Sequence, residues 1–211
     1  MKEFVIKLLA FSLPPLLAYL VGSIPFAYII AASRGVDIRK VGSGNVGATN
    51  VFRTVSKPLG ILTFILDALK GWLPVTLAPV IFRLITCTDG PELYLKVMCG
   101  VTAVLGHTYP VYLSFRGGKG VATGAGTLLG IAPYTLIIGL CVWIITFLCS
   151  RYVALASIMS ALSVVVSSWI LYRQNIFLPV VLSLLAVVII WRHRSNIKRL
   201  MNGTEYRFGK K

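Results

Sequence analysis

The chain has 211 residues, of which 57% are hydrophobic and only 13% charged, with a mean hydropathy of +0.85. A soluble domain carries about 25% charge, and no core of this size could bury such long apolar runs, so a water-soluble globule is excluded and membrane insertion follows. The net charge of +15 comes from 21 Lys/Arg against six acidic residues. No polar stretch is long enough to form a solvated basic domain, which excludes nucleic-acid binding. The charge reads instead as a topology signal and an attraction for anionic lipid or phosphate.

In chain order, Lys2 and Lys7 open an apolar run that continues to Ser33. That is about twice the length of a signal-peptide core, so a first span is expected rather than a cleaved leader. A crossing needs about 20 apolar residues, and the stretches 4–33, 58–82, 93–113, 134–150, 152–172 and 176–191 qualify. The segment 119–131 is too short to cross unshielded. Charge decides its fate. Loop 34–57 holds Arg34, Arg39, Lys40, Arg53 and Lys57 and belongs inside, whereas loop 83–92 has one Arg against Asp89 and Glu92 and suits the outside. If 119–131 crosses, Arg116, Lys119, Arg151 and the tail from Arg192 fall inside, giving 15 Lys/Arg inside against five outside, with Lys70 within the membrane.

The expected fold class is therefore all-α: a polytopic membrane protein of about seven transmembrane helices, one of them short. Its N-terminus is outside and its C-terminus cytoplasmic. Gly120, Gly124, Gly126 and Gly130 are spaced so that neighbouring helices can shield the short segment, the last two by packing alone. No internal repeat or linker interrupts the chain, and a single domain over 1–211 is expected. Cys87, Cys99, Cys141 and Cys149 lie in or beside apolar segments without metal-site spacing. With His107 and His193 the only histidines, no metal or other cofactor is implied.

Three inner-face clusters carry chemistry. The first runs from Val41 to Arg53 and contains Gly42, Ser43, Gly44, Asn45, Gly47, Thr49, Asn50 and Arg53. Glycines let a loop bring its amides close to an anion, and five polar side chains add donors. The stretch Gly42–Gly47 also fits G-x-G-x-x-G, but no βαβ unit surrounds it, so a dinucleotide fold is excluded. A plain interhelix turn is the competing reading.

The second cluster joins Gly106-His107 to Arg116-Gly117-Gly118-Lys119-Gly120. It is not a Walker A sequence, yet glycines around a lysine at a helix start make an anion site. Charge anchoring alone is the alternative for Arg116 and Lys119, and an interface role the alternative for His107. The third cluster is the basic tail, where His193 and Asn196 share a helical face and Glu205 can orient a cation or a substrate hydroxyl. Most of the tail's cations are expected to anchor to anionic lipid. Asp67 and Lys70 sit inside the second span, at pairing distance. Ser157 either reaches the same site or bonds its own helix backbone.

These motifs, together with Gly22-Ser23-Ile24-Pro25, Asp67 to Gly71, Val121-Ala122-Thr123, Asn196-Ile197-Lys198-Arg199-Leu200 and Gly203-Thr204-Glu205, occur in an order that resembles the bacterial acyl-phosphate-dependent glycerol-3-phosphate acyltransferases. The similarity covers nearly the whole chain. It implies a seven-helix enzyme of the bacterial inner membrane with its active site facing the cytoplasm. The implied reaction moves a fatty acyl group from acyl phosphate to the sn-1 hydroxyl of glycerol 3-phosphate, giving lysophosphatidic acid and phosphate. Acyl-CoA-using acyltransferases carry His-x₄-Asp. Here the fifth residue after His107 is Tyr112 and after His193 is Lys198.

On that resemblance Arg53, Lys119, His193 and Asn196 hold glycerol phosphate, and the Gly42–Gly47 backbone with Ser43, Asn45 and Thr49 cradles acyl phosphate. The catalytic set is Ser43, Lys119, His193 and Asn196. Gly42, Gly44, Asn45, Gly47, Thr49, Asn50, Arg53, Lys70, His107, Gly117, Gly118, Gly120, Ser157 and Glu205 are expected to bind substrate. The proton goes either to His193 or to a donor phosphate oxygen, with Ser43 as covalent nucleophile a third route. An organophosphate transporter and a lipid-binding scaffold are the competing functions, and the oligomeric state is left open.

Overall fold

The computed structural model describes residues 1–209; Lys210 and Lys211, the last two cations of the basic tail, lie outside the described residues. Regular structure among the described residues is helical: α1 (Lys2–Gly22), α2 (Phe26–Ala32), α3 (Ala48–Thr54), α4 (Lys57–Thr86), α5 (Glu92–Thr108), a 3₁₀ turn at Val111–Leu113, α6 (Val121–Ile131), α7 (Pro133–Ser150), α8 (Val153–Leu171), α9 (Phe177–Arg192) and α10 (Arg194–Met201). Four segments are long and apolar enough to cross a membrane: Lys2–Ala32, α4, α7 and α8. The pair α9 and α10, bent by 56°, makes a fifth, and α6 is a shorter apolar helix.

Two boundaries differ from the sequence expectation. The first predicted span, 4–33, is broken between Gly22 and Phe26, where Pro25 brings no amide hydrogen to a helical ladder. The third, 93–113, stops at Thr108, because Pro110 disfavours helix at Tyr109 and cannot donate itself. Ser56 caps α4, its Oγ accepting from the Leu59 amide at 3.2 Å.

The chain divides into two units, Met1–Ile131 and Ala132–Lys211. In the first unit, glycines set the helix spacing. A Cβ on Gly22 would overlap the main chain of Ala103, and one on Gly106 the Tyr19 carbonyl, so α1 and α5 touch backbone to backbone. The same holds for α4 and α6 through Gly71 against Thr123 and Gly126 against Ala68, while Gly130 faces Val75. Between lipid-solvated helices, close van der Waals approach replaces the hydrophobic drive. The core between α1, α4 and α5 is accordingly small: Ala10, Ala18, Ala78 and Ala103 surround Phe82, Leu95 and Cys99.

In the second unit, α7 packs on α8 and α8 on α9. Each pair is fastened by one tryptophan. Trp143 Nε1 donates to Ser157 Oγ and Trp169 Nε1 to Ser183 Oγ, both at 3.2 Å. The two hydroxyls donate in turn to the Val153 and Pro179 carbonyls at 2.9 and 2.7 Å, so no polar atom of either clasp faces lipid unpaired. Most of the α7 surface is apolar and exposed, with Ile137, Leu140, Ile145 and Leu148 each more than half accessible. Such a face suits lipid.

Replacing Gly126 with valine forces a branched side chain into the Ala68 carbonyl. Overpacking of this kind costs about 1–3 kcal/mol. A drop in the thermal unfolding midpoint in detergent is expected, and an unchanged midpoint would contradict the backbone approach of α6 to α4 at this glycine.

Candidate functional site

The Val41–Asn50 loop is tied from within by one side chain. Asn50, on the first turn of α3, is 1% exposed. Its Nδ2 donates to the carbonyls of Ile38, Val41 and Asn45 at 3.1, 3.0 and 3.2 Å, and its Oδ1 accepts from the Ser43 amide at 3.1 Å. Gly42 and Gly44 sit at φ 59° and 68°, the left-handed region where a side chain is strained, and a Cβ at Gly42 would also strike Asn50 Oδ1. Asn50, expected to be a ligand donor, thus spends its amide on the loop backbone, and the donor count of the cluster falls by one. Among the described residues the amides of Asn45, Val46, Ala48 and Thr49 find no acceptor. A fixed loop with open amides suits an anion.

Two cations flank this loop. Arg39 Nε donates to Asp37 Oδ1 at 2.9 Å, and this guanidinium holds the Asp37 carboxyl below the usual carboxylate range. Arg39 is therefore engaged by its neighbour. Arg53 lies on the last turn of α3, half-buried.

Beneath the loop lies a buried polar network. Lys70 Nζ is 2.7 Å from Asp67 Oδ1 and donates at 2.7 Å to the carbonyl of Ile24, in the break between α1 and α2. Both side chains are 2–3% exposed. His107 Nδ1 lies 3.6 Å from Asp67 Oδ1, an electrostatic contact beyond ordinary hydrogen-bond length. A narrow cleft, with room for about one water, opens over this network, lined by Ser23, Val46, Lys70, His107, Gly117 and Gly118.

The glycine-lysine turn folds back onto the end of α5. The amides of Gly117 and Gly118 donate to the Thr108 and His107 carbonyls at 3.2 and 3.1 Å. A Cβ on Gly117 would strike the His107 carbonyl, and one on Gly118 would strike His107 Nε2 and approach the Val46 carbonyl. Only glycine permits that approach, which is why the motif needs two. Ser114 and Phe115 take positive φ of 49° and 62° to make the turn, and Gly120 sits at 85°. Lys119 is half-buried just ahead of α6, whereas Arg116 is exposed, as an anchoring cation would be. The first unit thus gathers Ser43, Asn45, Gly47, Lys70, His107 and the 117–120 turn around one loop and cleft.

In the second unit, His193 stands at the bend between α9 and α10 and is 3% exposed. Its Nδ1 is 2.8 Å from the Ile189 carbonyl. A carbonyl only accepts, so Nδ1 carries the hydrogen and neutral His193 presents its lone pair on Nε2. Asn196 Nδ2 donates to Glu205 Oε1 at 2.9 Å, and Arg199 Nε donates to Glu205 Oε2 at 2.7 Å. Glu205 therefore orients an arginine, one of the roles expected of it, and holds Asn196 as well. Ser157 is bonded to Trp143 and Val153, the backbone-bonding alternative raised for it. The sequence reading missed the Ile24 carbonyl and Arg199 as partners. Pro25 was the available signal for the first, because a broken helix leaves carbonyls outside the ladder.

Asn50→Ala should remove four hydrogen bonds and leave the Ile38 carbonyl without a donor and the Ser43 amide without an acceptor, since Val41 and Asn45 keep the Gly44 and Gly47 amides, at about 1–3 kcal/mol for each buried group left unpaired. Asn50→Asp should not rescue it, since a carboxylate cannot donate to the Ile38 carbonyl. Limited proteolysis of the 41–50 loop should accelerate in both variants, and equal protection in the aspartate variant would contradict this geometry.

The glycerol-3-phosphate acyltransferase family model matches residues 13–203. A glycerol-3-phosphate acyltransferase of Aquifex aeolicus is 45% identical over 193 residues, covering 90% of this chain and 95% of its own, and one of Agrobacterium fabrum is 43% identical over 201 residues, covering 95% and 93%. Among solved structures, the crystal structure of PlsY, an integral membrane glycerol 3-phosphate acyltransferase, in its glycerol 3-phosphate form superposes with a TM-score of 0.85 at 40% identity, covering 94% of this chain and 96% of that one. Its lysophosphatidic acid form gives 0.78 at 37% identity, covering 99% and 96%. The chain belongs to the glycerol-3-phosphate acyltransferase family of integral membrane enzymes.

Proposed function

We propose that the acyl donor is acyl phosphate and that the acceptor is the sn-1 hydroxyl of glycerol 3-phosphate, the products being lysophosphatidic acid and inorganic phosphate. The observation carrying this reading is the absence of His-x₄-Asp beside a glycine loop that Asn50 fixes from within and whose Asn45, Val46, Ala48 and Thr49 amides have no acceptor among the described residues. Such a loop suits a small phosphate donor. The relatives' crystal structures, named for glycerol 3-phosphate and lysophosphatidic acid, supply an acceptor and a product that differ by one acyl group.

In the proposed reaction the hydroxyl oxygen attacks the acyl carbonyl carbon, the bond from that carbon to the phosphate oxygen breaks, and phosphate departs with the electron pair. Because the leaving group is already good, positioning and charge stabilisation provide most of the acceleration. The glycine loop contributes Ser43, Asn45 and Thr49 and the amides of Asn45, Val46, Ala48 and Thr49 toward the donor phosphate, the Ser43, Gly44 and Gly47 amides being used within the loop, with Arg53 and Lys119 as cations for glycerol phosphate. His193 and Asn196 are assigned to glycerol phosphate on the family resemblance alone. The hydroxyl proton passes either to His193 Nε2, whose lone pair follows from the Ile189 bond, or to an oxygen of the donor phosphate. Covalent catalysis by Ser43 ranks below both, as no base is assigned to it.

The topology proposed with this reaction has seven crossings, N-terminus outside and the three clusters on the cytoplasmic side of a bacterial inner membrane, which gives the 15-to-five division of Lys/Arg that the positive-inside rule favours. A single catalytic domain over 1–211 is proposed with it, supported by a family match over residues 13–203. The transporter alternative loses its polar path, since Asp67 and Lys70, the deep charges, are paired with each other and with Ile24.

Purified protein given acyl phosphate and glycerol 3-phosphate should release lysophosphatidic acid and phosphate in equal amounts, and acyl-CoA should give none. Product from acyl-CoA alone would overturn the donor assignment. Within the active enzyme, His193→Ala at saturating substrate separates the proton routes: a loss of about 10²–10⁴-fold in turnover marks a general base, and near-normal turnover assigns the proton to the donor phosphate.

A further inference from the structure

The family match ends at residue 203, yet the chain beyond it is engaged in the second unit. After α10 the backbone turns at Gly203 (φ 68°), and the Thr204 and Glu205 amides donate to the Arg199 carbonyl at 2.8 and 3.2 Å. Glu205 then bonds Asn196 and Arg199. The next three residues run over the end of α7. Arg207 Nε donates to the Ser150 carbonyl at 3.3 Å, and the Phe208 amide donates to the Arg151 carbonyl at 3.0 Å. Helix α7 ends there, with Arg151 in the left-handed conformation at φ 65°. Carbonyls at a helix C-terminus lack intrahelical donors, and the tail provides one to Ser150, at that terminus, and another to Arg151 just beyond it.

Aromatic contacts extend the attachment. Phe208 meets Phe147 edge to face at 5.7 Å and Tyr206 at 5.0 Å, while Phe147 stacks on Trp143 at 5.2 Å. Trp143 is the residue that clasps Ser157 on α8. The tail was expected to act mainly as a basic lipid anchor. Arg207 instead donates to the protein, and its guanidinium lies 5.9 Å from the Tyr152 ring.

We propose that Tyr206–Phe208 is a positioning strap: by holding the end of α7, it fixes Glu205, and through Glu205 the orientation of the Asn196 amide toward glycerol 3-phosphate. The chain of contacts is continuous, from Phe147 and Arg151 to Phe208, along three peptide units to Glu205, and across one hydrogen bond to Asn196. Neither Tyr206 nor Phe208 touches substrate in this account. The inference rests on the role proposed above for Asn196.

The test uses the full-length enzyme in detergent with four variants: Phe208→Ala, Phe208→Tyr, a chain ending at Glu205, and Asn196→Ala. Loose positioning of a binding group costs on the order of tenfold or more. Phe208→Ala and the shortened chain should raise the KM for glycerol 3-phosphate about tenfold and leave the KM for acyl phosphate unchanged, beside whatever fall in thermal midpoint the lost tail contacts bring. Phe208→Tyr, which retains the ring against Phe147, should restore the parent KM. Parent-like kinetics in both disrupted variants would overturn the strap. So would a fall in thermal midpoint with both KM values unchanged, which marks a structural cap alone. Asn196→Ala reports separately on the underlying reading: if it leaves the glycerol 3-phosphate KM intact, the Asn196 assignment fails whatever the strap variants do.

Discussion

A lysine ammonium inside an apolar bundle has to be neutralised by protein, because no water is at hand to solvate it. Lys70 meets this demand twice over, with Asp67 as counter-ion and the Ile24 carbonyl as a second acceptor, both at 2.7 Å. The second bond has a structural consequence. It requires the first apolar stretch to be interrupted at that depth, and Gly22 to Pro25 make the interruption. The same carboxylate faces His107, whose ring and carbonyl support Gly117 and Gly118. One buried charge pair thus links the bend of the first span, the end of α5 and the turn that carries Lys119.

Within each unit the protein fixes polar groups through its own side chains and backbone. Asn50 closes the glycine loop from inside, the 117–120 turn is sewn to α5, and Glu205 holds Asn196 and Arg199 in the second unit. In each case the group that orients is a buried side chain or carbonyl. A polar site fixed in this way acts on a transition state without reorganising. The flexible element that a soluble enzyme would place in a loop is here restrained by glycine contacts between backbones, a packing mode that suits helices in lipid.

Much of this was legible from residue order. Apolar length and the placement of Lys/Arg located the helices to within a few residues, and Gly126 and Gly130 were readable as packing positions. The polar clusters were found as clusters. Hidden from the sequence was the direction of each side chain. Asn50 and Ser43 look alike as donors in a string, yet one amide is saturated by Ile38, Val41, Asn45 and Ser43 and only a folded loop reveals it. Ser157 is bound by a tryptophan 14 residues away, a pairing that depends on helix register. The tail's contact with Arg151 joins residues 57 positions apart, and a run of cations gives no hint of it.

Double-mutant analysis of Asp67 and Lys70 tests the account most directly, with unfolding free energy and the KM for glycerol 3-phosphate measured on Lys70→Met, Asp67→Asn and the double variant. Removing one member of a buried ion pair costs about 3–5 kcal/mol because the other is left charged and unpaired. Each single variant should therefore destabilise the protein and raise that KM, and the double variant should lose well under the sum of the two. Strictly additive losses, or single variants that bind glycerol 3-phosphate as well as the parent, would contradict the claim that this pair holds the site in place.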